Sequence, residues 1–311
     1  MGDVLMNLPA LRVLRLSYPK AWIALLLDKS VAGLFRGHPD LDELIMVDAA
    51  ELKRSGHKRR ELAREIRKAH FDMGIVSNSS KFFHWLLFSC GIPVRVGWRR
   101  KWPIFLNRTL PDKKNEMGRH ELDSNLDLVG LVTKEKWDNQ IVITEDKRAK
   151  EVIAALMRQL HANLPIVAVH PGSSNPKKLW PSERFIELCR RLEASKKCQL
   201  VLIGGEEEFE ASRQLAGQLT GPLLNLTGHL TLEELAAFFK TPNVRMLVSS
   251  DSGPVHVAWM SGKPVVAFYA ENVPGSDPAR WGPRDEKSET IFKPMDEITV
   301  DEVWERVQHF L

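Results

Sequence analysis

At 311 residues the chain is long enough for two hydrophobic cores, and 43% hydrophobic against 27% charged residues excludes a disordered or fibrous protein. Its net charge of +4 divides unevenly: residues 1–150 hold 27 Lys and Arg against 19 Asp and Glu, a balance of +8, while residues 151–311 hold 17 against 21, a balance of −4. No apolar run reaches roughly 18 residues, the opening MGDVLMNLPALRVLRL lacks the basic leader and cleavage site of a signal peptide, and Cys90, Cys189 and Cys198 lack metal spacing; the expectation is a cytoplasmic chain with no membrane span, no disulfide and no zinc site.

In chain order the pattern opens without a strand. Met1-Gly2-Asp3 reads as the loop that normally follows the first, central strand of a parallel sheet, so that strand is expected to be missing. A helix over 8–17 follows, then strands at 22–27, 43–48, 72–77 and 94–98, with helices over 58–69, 80–90 and 121–131. A helix over 145–161 and the break Asn163-Leu164-Pro165 precede a second series. Its strands are expected at 165–170, 199–204, 244–250 and 264–269, and its helices over 182–193, 207–219, 231–240, 254–260 and 300–311. β-Branched runs alternating with amphipathic segments define the α/β class, here two Rossmann-like domains, 1–150 and 151–311.

Four loops of the second series follow strand ends, where ligands bind in open α/β sheets. HPGSSNPKKLWPSERF (170–185) offers Ser173, Ser174 and Lys178 to a diphosphate. IGGEEE (203–208) places Glu206 or Glu207 where a carboxylate accepts from ribose hydroxyls. NLTGHLTLEEL (225–235) gives Thr227 and Gly228, then a capping box of Thr231 and Glu234. VSSDSGPVHVAW (248–259) runs strand, turn, helix start, so that Asp251, Ser252, Gly253 and His256 surround the unpaired N–H groups and positive dipole end of a helix, a site that favours an anion. Each loop alone also reads as a plain turn or cap. Together, on successive strands, they point to a nucleotide-type ligand.

GDVLMNLPALRVLRLSYPKAWIALL, PGSSNPKKLWPSERF and DSGPVHVAWMSGKPVVAFY followed by DPARWGP (277–283) resemble, in order and spacing, the heptosyltransferases of lipopolysaccharide core assembly, glycosyltransferase family 9. The segments GHKRRELAREIRKAHFDMGIVSNSSKF and GIPVRVGWRRK are closest in character to the second enzyme of that pathway. The resemblance implies a two-domain glycosyltransferase-B fold, an ADP-heptose donor, an inverting transfer to the anionic inner core of lipopolysaccharide, and no metal or other cofactor. It makes Asp3 the general base, and Ser173, Ser174, Lys178, Glu206 or Glu207, Asp251, Ser252, Gly253 and His256 donor-site residues, to which the loop reading adds Thr227 and Gly228. Where the family often has Gly-Pro-Thr after the strand at 264–269, this chain reads Ala270-Glu271-Asn272-Val273-Pro274-Gly275. Spacing alone leaves Mg²⁺ at the diphosphate open.

The basic half suits an anionic acceptor. Its excess sits in KRSGHKRR (53–60), WRRKW (98–102) and Lys113-Lys114, and Lys58, Arg59, Arg60, Arg99, Arg100 and Lys101 are the acceptor-side residues, although any one such cluster also reads as a solvated face. No nucleic-acid reader motif accompanies the charge. The expected protein is a cytoplasmic monomer, peripheral at the inner membrane. Two other readings stay open: a sugar-nucleotide epimerase of the same fold, and a sugar-nucleotide or lipid-binding protein without turnover. His120 and Asn125 resemble a family element but read equally as surface polarity. Trp98 and Trp102 read as sugar-stacking, membrane-surface or packing residues, with packing expected for at least one.

Overall fold

The computed structural model describes residues 1–112 and 118–311; Lys113 and Lys114 of the basic excess lie outside the described residues. The chain divides into two compact units, Asp3–Ile141 and Val142–Leu311, the second joined by Met1 and Gly2. The division comes earlier than position 150 because the segment after Ile141 is tied to the second unit: Lys240 donates to the Ile143 carbonyl (2.6 Å) and pairs with Glu145 (3.2 Å).

The N-terminal unit runs α1 (Gly2–Leu5), α2 (Leu8–Ser17), β1 (Ala24–Asp28), β2 (Glu43–Val47), α3 (Ala49–Arg54), α4 (Gly56–Lys68), β3 (Met73–Val76), α5 (Lys81–Ser89), β4 (Val94–Trp98), β5 (Arg108–Leu110) and α6 (Glu121–Gly130). All strand pairs are parallel, but they form two sheets, β1-β2 and β3-β4-β5, with β1 and β3 each at an edge. The helices follow their apolar spacing: α4 buries Leu62 and Ile66, four residues apart on one face. His120 and Asn125 are interior rather than surface residues. His120 Nδ1 accepts from the Leu122 N–H (3.2 Å) and caps α6, and Asn125 Nδ2 donates to the Met6 carbonyl (3.1 Å). Trp98 is buried, its indole N–H on the Ser77 carbonyl (2.9 Å), whereas Trp102 stands half exposed.

The C-terminal unit runs α7 (Lys147–Met157), β6 (Ile166–His170), α8 (Ser182–Ser195), β7 (Gln199–Leu202), α9 (Phe209–Ala216), β8 (Leu223–Asn225), α10 (Leu232–Lys240), β9 (Val244–Ser250), α11 (Gly253–Met260), β10 (Val265–Ala270), α12 (Pro278–Trp281), β11 (Glu289–Lys293) and α13 (Val300–Val307). Its six strands pair in parallel in the order β8-β7-β6-β9-β10-β11. Successive strands step outward from β6 to β8, and the chain then returns to β9 and steps outward the other way. The reversal opens a crevice between the carboxyl ends of β6 and β9. Strands β6, β7 and β10 are buried at every position, as near-continuous apolar runs covered on both faces must be. The capping box at α10 forms as spaced, with Glu234 N–H on Thr231 Oγ1 (3.3 Å) and Thr231 N–H on Glu234 Oε2 (2.8 Å). No helix among the described residues is long and apolar enough to cross a membrane.

Trp180 anchors this core. It is fully buried, its ring centroid 4.9 Å from those of both Phe185 and Phe268, and its indole donates to the Ile298 carbonyl (2.9 Å). Trp180→Ala should lower the unfolding free energy by about 3–5 kcal/mol, the usual cost of emptying a large aromatic site, measured as a shifted denaturant midpoint with an unchanged slope.

Candidate active site

Strand β6 ends on His170, beside Ser249 in the β9 register. The imidazole is almost wholly buried and is held at both nitrogens: Nδ1 lies 3.0 Å from Ser249 Oγ and 3.1 Å from Ser252 Oγ, and Nε2 lies 3.1 Å from Glu208 Oε2. The two hydroxyls are 2.9 Å apart. The same Glu208 oxygen accepts from the Gly205 N–H (2.8 Å). Three strand ends, those of β6, β7 and β9, are thus tied by one chain of hydrogen bonds across the crevice.

Glycine makes room for that carboxylate. A Cβ on Gly172 would overlap the Glu208 carboxyl group, and one on Gly204 would stand 2.5 Å from Oε2. Burial alone would raise the Glu208 pKa, but the hydrogen bond and charge of His170 and the Gly205 N–H outweigh it and hold the carboxyl below its ordinary value. Both of these bonds fall on Oε2, while Oε1 lies against the Gly172 backbone. Glu206 and Glu207, the residues the sequence suggested, are exposed. The turn after Gly205 aims the third glutamate inward, because its carboxylate caps that turn.

Across the crevice, Lys178 Nζ sits 2.7 Å from Asp251 Oδ2, with 19% and 8% of the two side chains exposed. Asp251 also accepts from Ser276 Oγ (2.9 Å), and Ser276 Oγ in turn accepts from the Ala270 N–H (3.0 Å). Ser252 is the N-cap of α11 but makes no side-chain cap bond, so the first-turn N–H groups are not consumed by it. Gly253 and His256 open that helix. Met1 and Gly2 pack on this turn: a Cβ on Gly2 would stand 2.7 Å from the His256 ring, and one on Gly253 2.9 Å from Met1 Sδ. Ser173 and Ser174 lie on the loop before Lys178, Ser173 Oγ accepting from the Asn175 N–H (3.3 Å). Thr227 is fully buried and its hydroxyl has no partner among the described residues, while Gly228 turns with φ +75° and donates to the Gly204 carbonyl (3.0 Å).

The remaining candidates belong to the N-terminal unit. Asp3 is exposed in the first turn of α1, with its carbonyl accepting from Asn7 Nδ2 (2.7 Å). Lys58, Arg59 and Arg60 begin α4, and Lys58 pairs with Glu61 (3.0 Å). Arg99, Arg100 and Lys101 follow β4; Arg100 pairs with Asp112 (3.0 Å) and Arg99 Nε donates to Thr109 Oγ1 (3.4 Å). His170, Glu208, Ser249 and Ser276 were not singled out from sequence. A histidine closing the apolar run PIVAVH was the available signal for the first of them.

Residues 59–301 match the sequence profile of glycosyltransferase family 9 (heptosyltransferase). The lipopolysaccharide heptosyltransferase 2 of Escherichia coli K12 is 24% identical over 301 residues, 89% of this chain and 82% of that protein. A solved glycosyl transferase family 9 structure from Veillonella parvula has a TM-score of 0.90 at 22% identity, covering 100% of this chain and 94% of that one. The structure of E. coli ADP-heptose LPS heptosyltransferase II gives 0.81 at 23%, covering 99% and 95%. At these identities the structural likeness establishes the fold.

The network predicts a pH signature. Because the folded Glu208 pKa lies below its ordinary value of 4.5, the stabilisation is present above that value and is lost as pH falls through the folded pKa. Glu208→Gln should therefore be less stable than wild type at neutral pH, and the gap in urea midpoint should close as the pH is lowered from about 5 to about 3. A gap constant over that range would show that the carboxylate charge is not what the network holds.

Proposed function

The chain belongs to glycosyltransferase family 9 and is a glycosyltransferase; from that premise we propose that it transfers heptose from ADP-L-glycero-D-manno-heptose to the inner core of lipopolysaccharide, inverting the anomeric centre without a metal ion. The observation that carries the donor assignment is the meeting of Lys178, Ser252 and the first turn of α11 at the crevice where the sheet order reverses, opposite the Glu208 carboxylate. Cation, hydroxyl and helix N-terminus suit a diphosphate. A carboxylate whose second oxygen makes neither of the two bonds that hold the first suits the ribose hydroxyls, so that role passes from Glu206 or Glu207 to Glu208. The buried Thr227 hydroxyl supplies a further polar contact, and Ser173, Ser174, Gly228, Gly253 and His256 complete the donor side.

In the proposed step an acceptor hydroxyl oxygen attacks the anomeric carbon while the bond from that carbon to the phosphate oxygen breaks. ADP leaves with the electron pair, and the acceptor proton passes to the Asp3 carboxylate. Negative charge grows on the departing phosphate, where donors stabilise it most. Lys178 has three N–H groups, so it can keep Asp251 while donating to a phosphate oxygen. These groups supply positive charge of the kind a metal supplies elsewhere, which is the basis for reading the reaction as metal-independent.

Lys58, Arg59, Arg60, Arg99, Arg100 and Lys101 are assigned to the anionic acceptor. The enzyme is read as a cytoplasmic monomer, peripheral at the inner membrane where a nucleotide-sugar donor and a lipid-borne acceptor meet, with no nucleic-acid partner. Incubation with ADP-heptose and a heptose-deficient core should release ADP and extend the core; a changed free sugar nucleotide would instead indicate an epimerase, and neither product a binding protein. Asp3→Ala should cut transfer by ~10²–10⁴-fold with ADP binding nearly intact, because a base contributes little to holding the donor. Lys178→Ala should weaken both donor binding and rate. Wild-type turnover in the first variant, or unchanged donor affinity and turnover in the second, would remove that residue from its role.

A further inference from the structure

Between Asp72 and Asp112 the sequence has no acidic residue in 39 positions, yet it holds six cations, Lys81, Arg95, Arg99, Arg100, Lys101 and Arg108, and seven aromatic rings. Four exposed large apolar side chains fall in the same stretch: Trp85 (38%), Phe88 (51%), Trp102 (50%) and Ile104 (81%). They form one surface. Lys81, Trp85 and Phe88 are spaced i, i+4, i+7 along α5 and share a face. Phe105 bridges to the loop after β4, its ring 5.2 Å from Phe88 and 5.8 Å from Trp102, and Lys81 Nζ lies 5.2 Å from the Trp102 ring centre.

The loop is held in this exposed form. Arg95 donates to the Phe105 carbonyl (2.7 Å) and to the Ile92 carbonyl (2.6 Å) while its guanidinium covers the Phe88 ring, and His84 Nδ1 lies 3.0 Å from the Lys101 carbonyl. Lys101 and Trp102 are both left-handed, with φ +47° and +59°. Two consecutive non-glycine residues in that region need surroundings that enforce them, and the turn so held leaves Trp102 half exposed.

We propose that α5 and residues 99–105 form the surface by which the N-terminal unit docks on an anionic phospholipid bilayer, with Trp85, Phe88, Trp102 and Ile104 entering the headgroup and upper acyl region and Lys81, Arg99, Arg100, Lys101 and Arg108 meeting lipid phosphates. The charge argument selects this occupant: a stretch whose six cations face one carboxylate at its end, Asp112 on Arg100, and whose Lys81 and Arg95 lie on the rings of Trp102 and Phe88, complements an anionic surface, and tryptophan with arginine is the pairing that the membrane interface accommodates. Sugar stacking gives no use to an aliphatic side chain as bare as Ile104. Neither apolar insertion nor charge alone anchors a protein firmly; the two together do. The proposal deepens the peripheral reading given above: it moves Arg99, Arg100 and Lys101 from the core sugar to the lipid surface that carries it, leaves Lys58, Arg59 and Arg60 to the core, and does not touch Asp3 or the donor site.

The test compares wild type with Trp102→Glu/Ile104→Glu in co-sedimentation with vesicles of phosphatidylcholine and phosphatidylglycerol (3:1) and of phosphatidylcholine alone. Both positions are exposed, and a thermal melt checks that the variant folds. The wild type should partition into the anionic vesicles, bind neutral ones weakly and be released by 0.5 M salt; the double variant should lose roughly tenfold or more of its partition coefficient. Transfer to a delipidated, water-soluble core is followed in parallel, so that a failed transferase assay and a failed docking assay are told apart. Equal vesicle binding by the variant overturns this surface. So does indifference to lipid charge, or a wild-type dimer in sedimentation velocity that the substitutions convert to monomer without any lipid binding.

Discussion

The C-terminal unit depends on one buried contact, that between the Glu208 carboxylate and the His170 imidazole. A charge in a protein interior is tolerated when its hydrogen bonds are satisfied, and here two N–H donors converge on a single oxygen. The other end of the imidazole reaches two serines of the β9 segment, so the strand ends on either side of the reversal are coupled through polar groups. Such a network holds the crevice in one geometry without filling it. Gly172 and Gly204 are consequences of the same contact, since any larger residue would occupy the space the carboxylate needs.

A second buried pair, Lys178 with Asp251, repeats the device with the opposite purpose. Where Glu208 is held by neutral or weakly basic groups, Lys178 is held by a carboxylate that is itself braced by Ser276. Removing either partner would leave a charge in a partly desolvated place, which costs more than the pair contributes. The arrangement positions the ammonium before any ligand arrives. Lys178 and Glu208 are therefore both fixed at strand ends of the same sheet, which suits the phosphates and the ribose of the proposed donor.

Much of this was legible in the sequence for physical reasons that also explain the omissions. Long apolar runs such as PIVAVH and VRMLVSS can only be buried strands, and the Thr231–Glu234 spacing dictates its own cap. The strands β5 and β8, of three residues each, are too short to show a period, and β11 reads Glu-Thr-Ile-Phe-Lys, polar at three of its five positions. In Glu206-Glu207-Glu208 three identical side chains carry no pattern at all, and only the turn geometry shows which one points inward. For His120 and Asn125 the surface alternative falls away for a different reason: polar residues on a helix can read as surface, whereas here they satisfy a helix end and a distant carbonyl in the interior. The split of the N-terminal strands into two sheets lies in pairing, which no local pattern encodes.

The uneven charge of the two halves can be understood as two mechanisms of attraction acting at different ranges. The field of a whole basic unit extends into solvent, concentrates an anionic partner and is screened over about 8 Å at physiological salt. The acidic half cannot draw a phosphorylated ligand that way, since its net charge opposes one. On the proposed reading it acts instead by contact, through Lys178, oriented hydroxyls and helix N–H groups at a partly buried crevice where each interaction is stronger than in open solvent. Long-range charge serves a partner that is large and confined to a surface, for which encounter is the difficulty. Short-range, preorganised donors would serve the proposed nucleotide donor, for which the difficulty is to bind the diphosphate firmly and then stabilise it further as it departs.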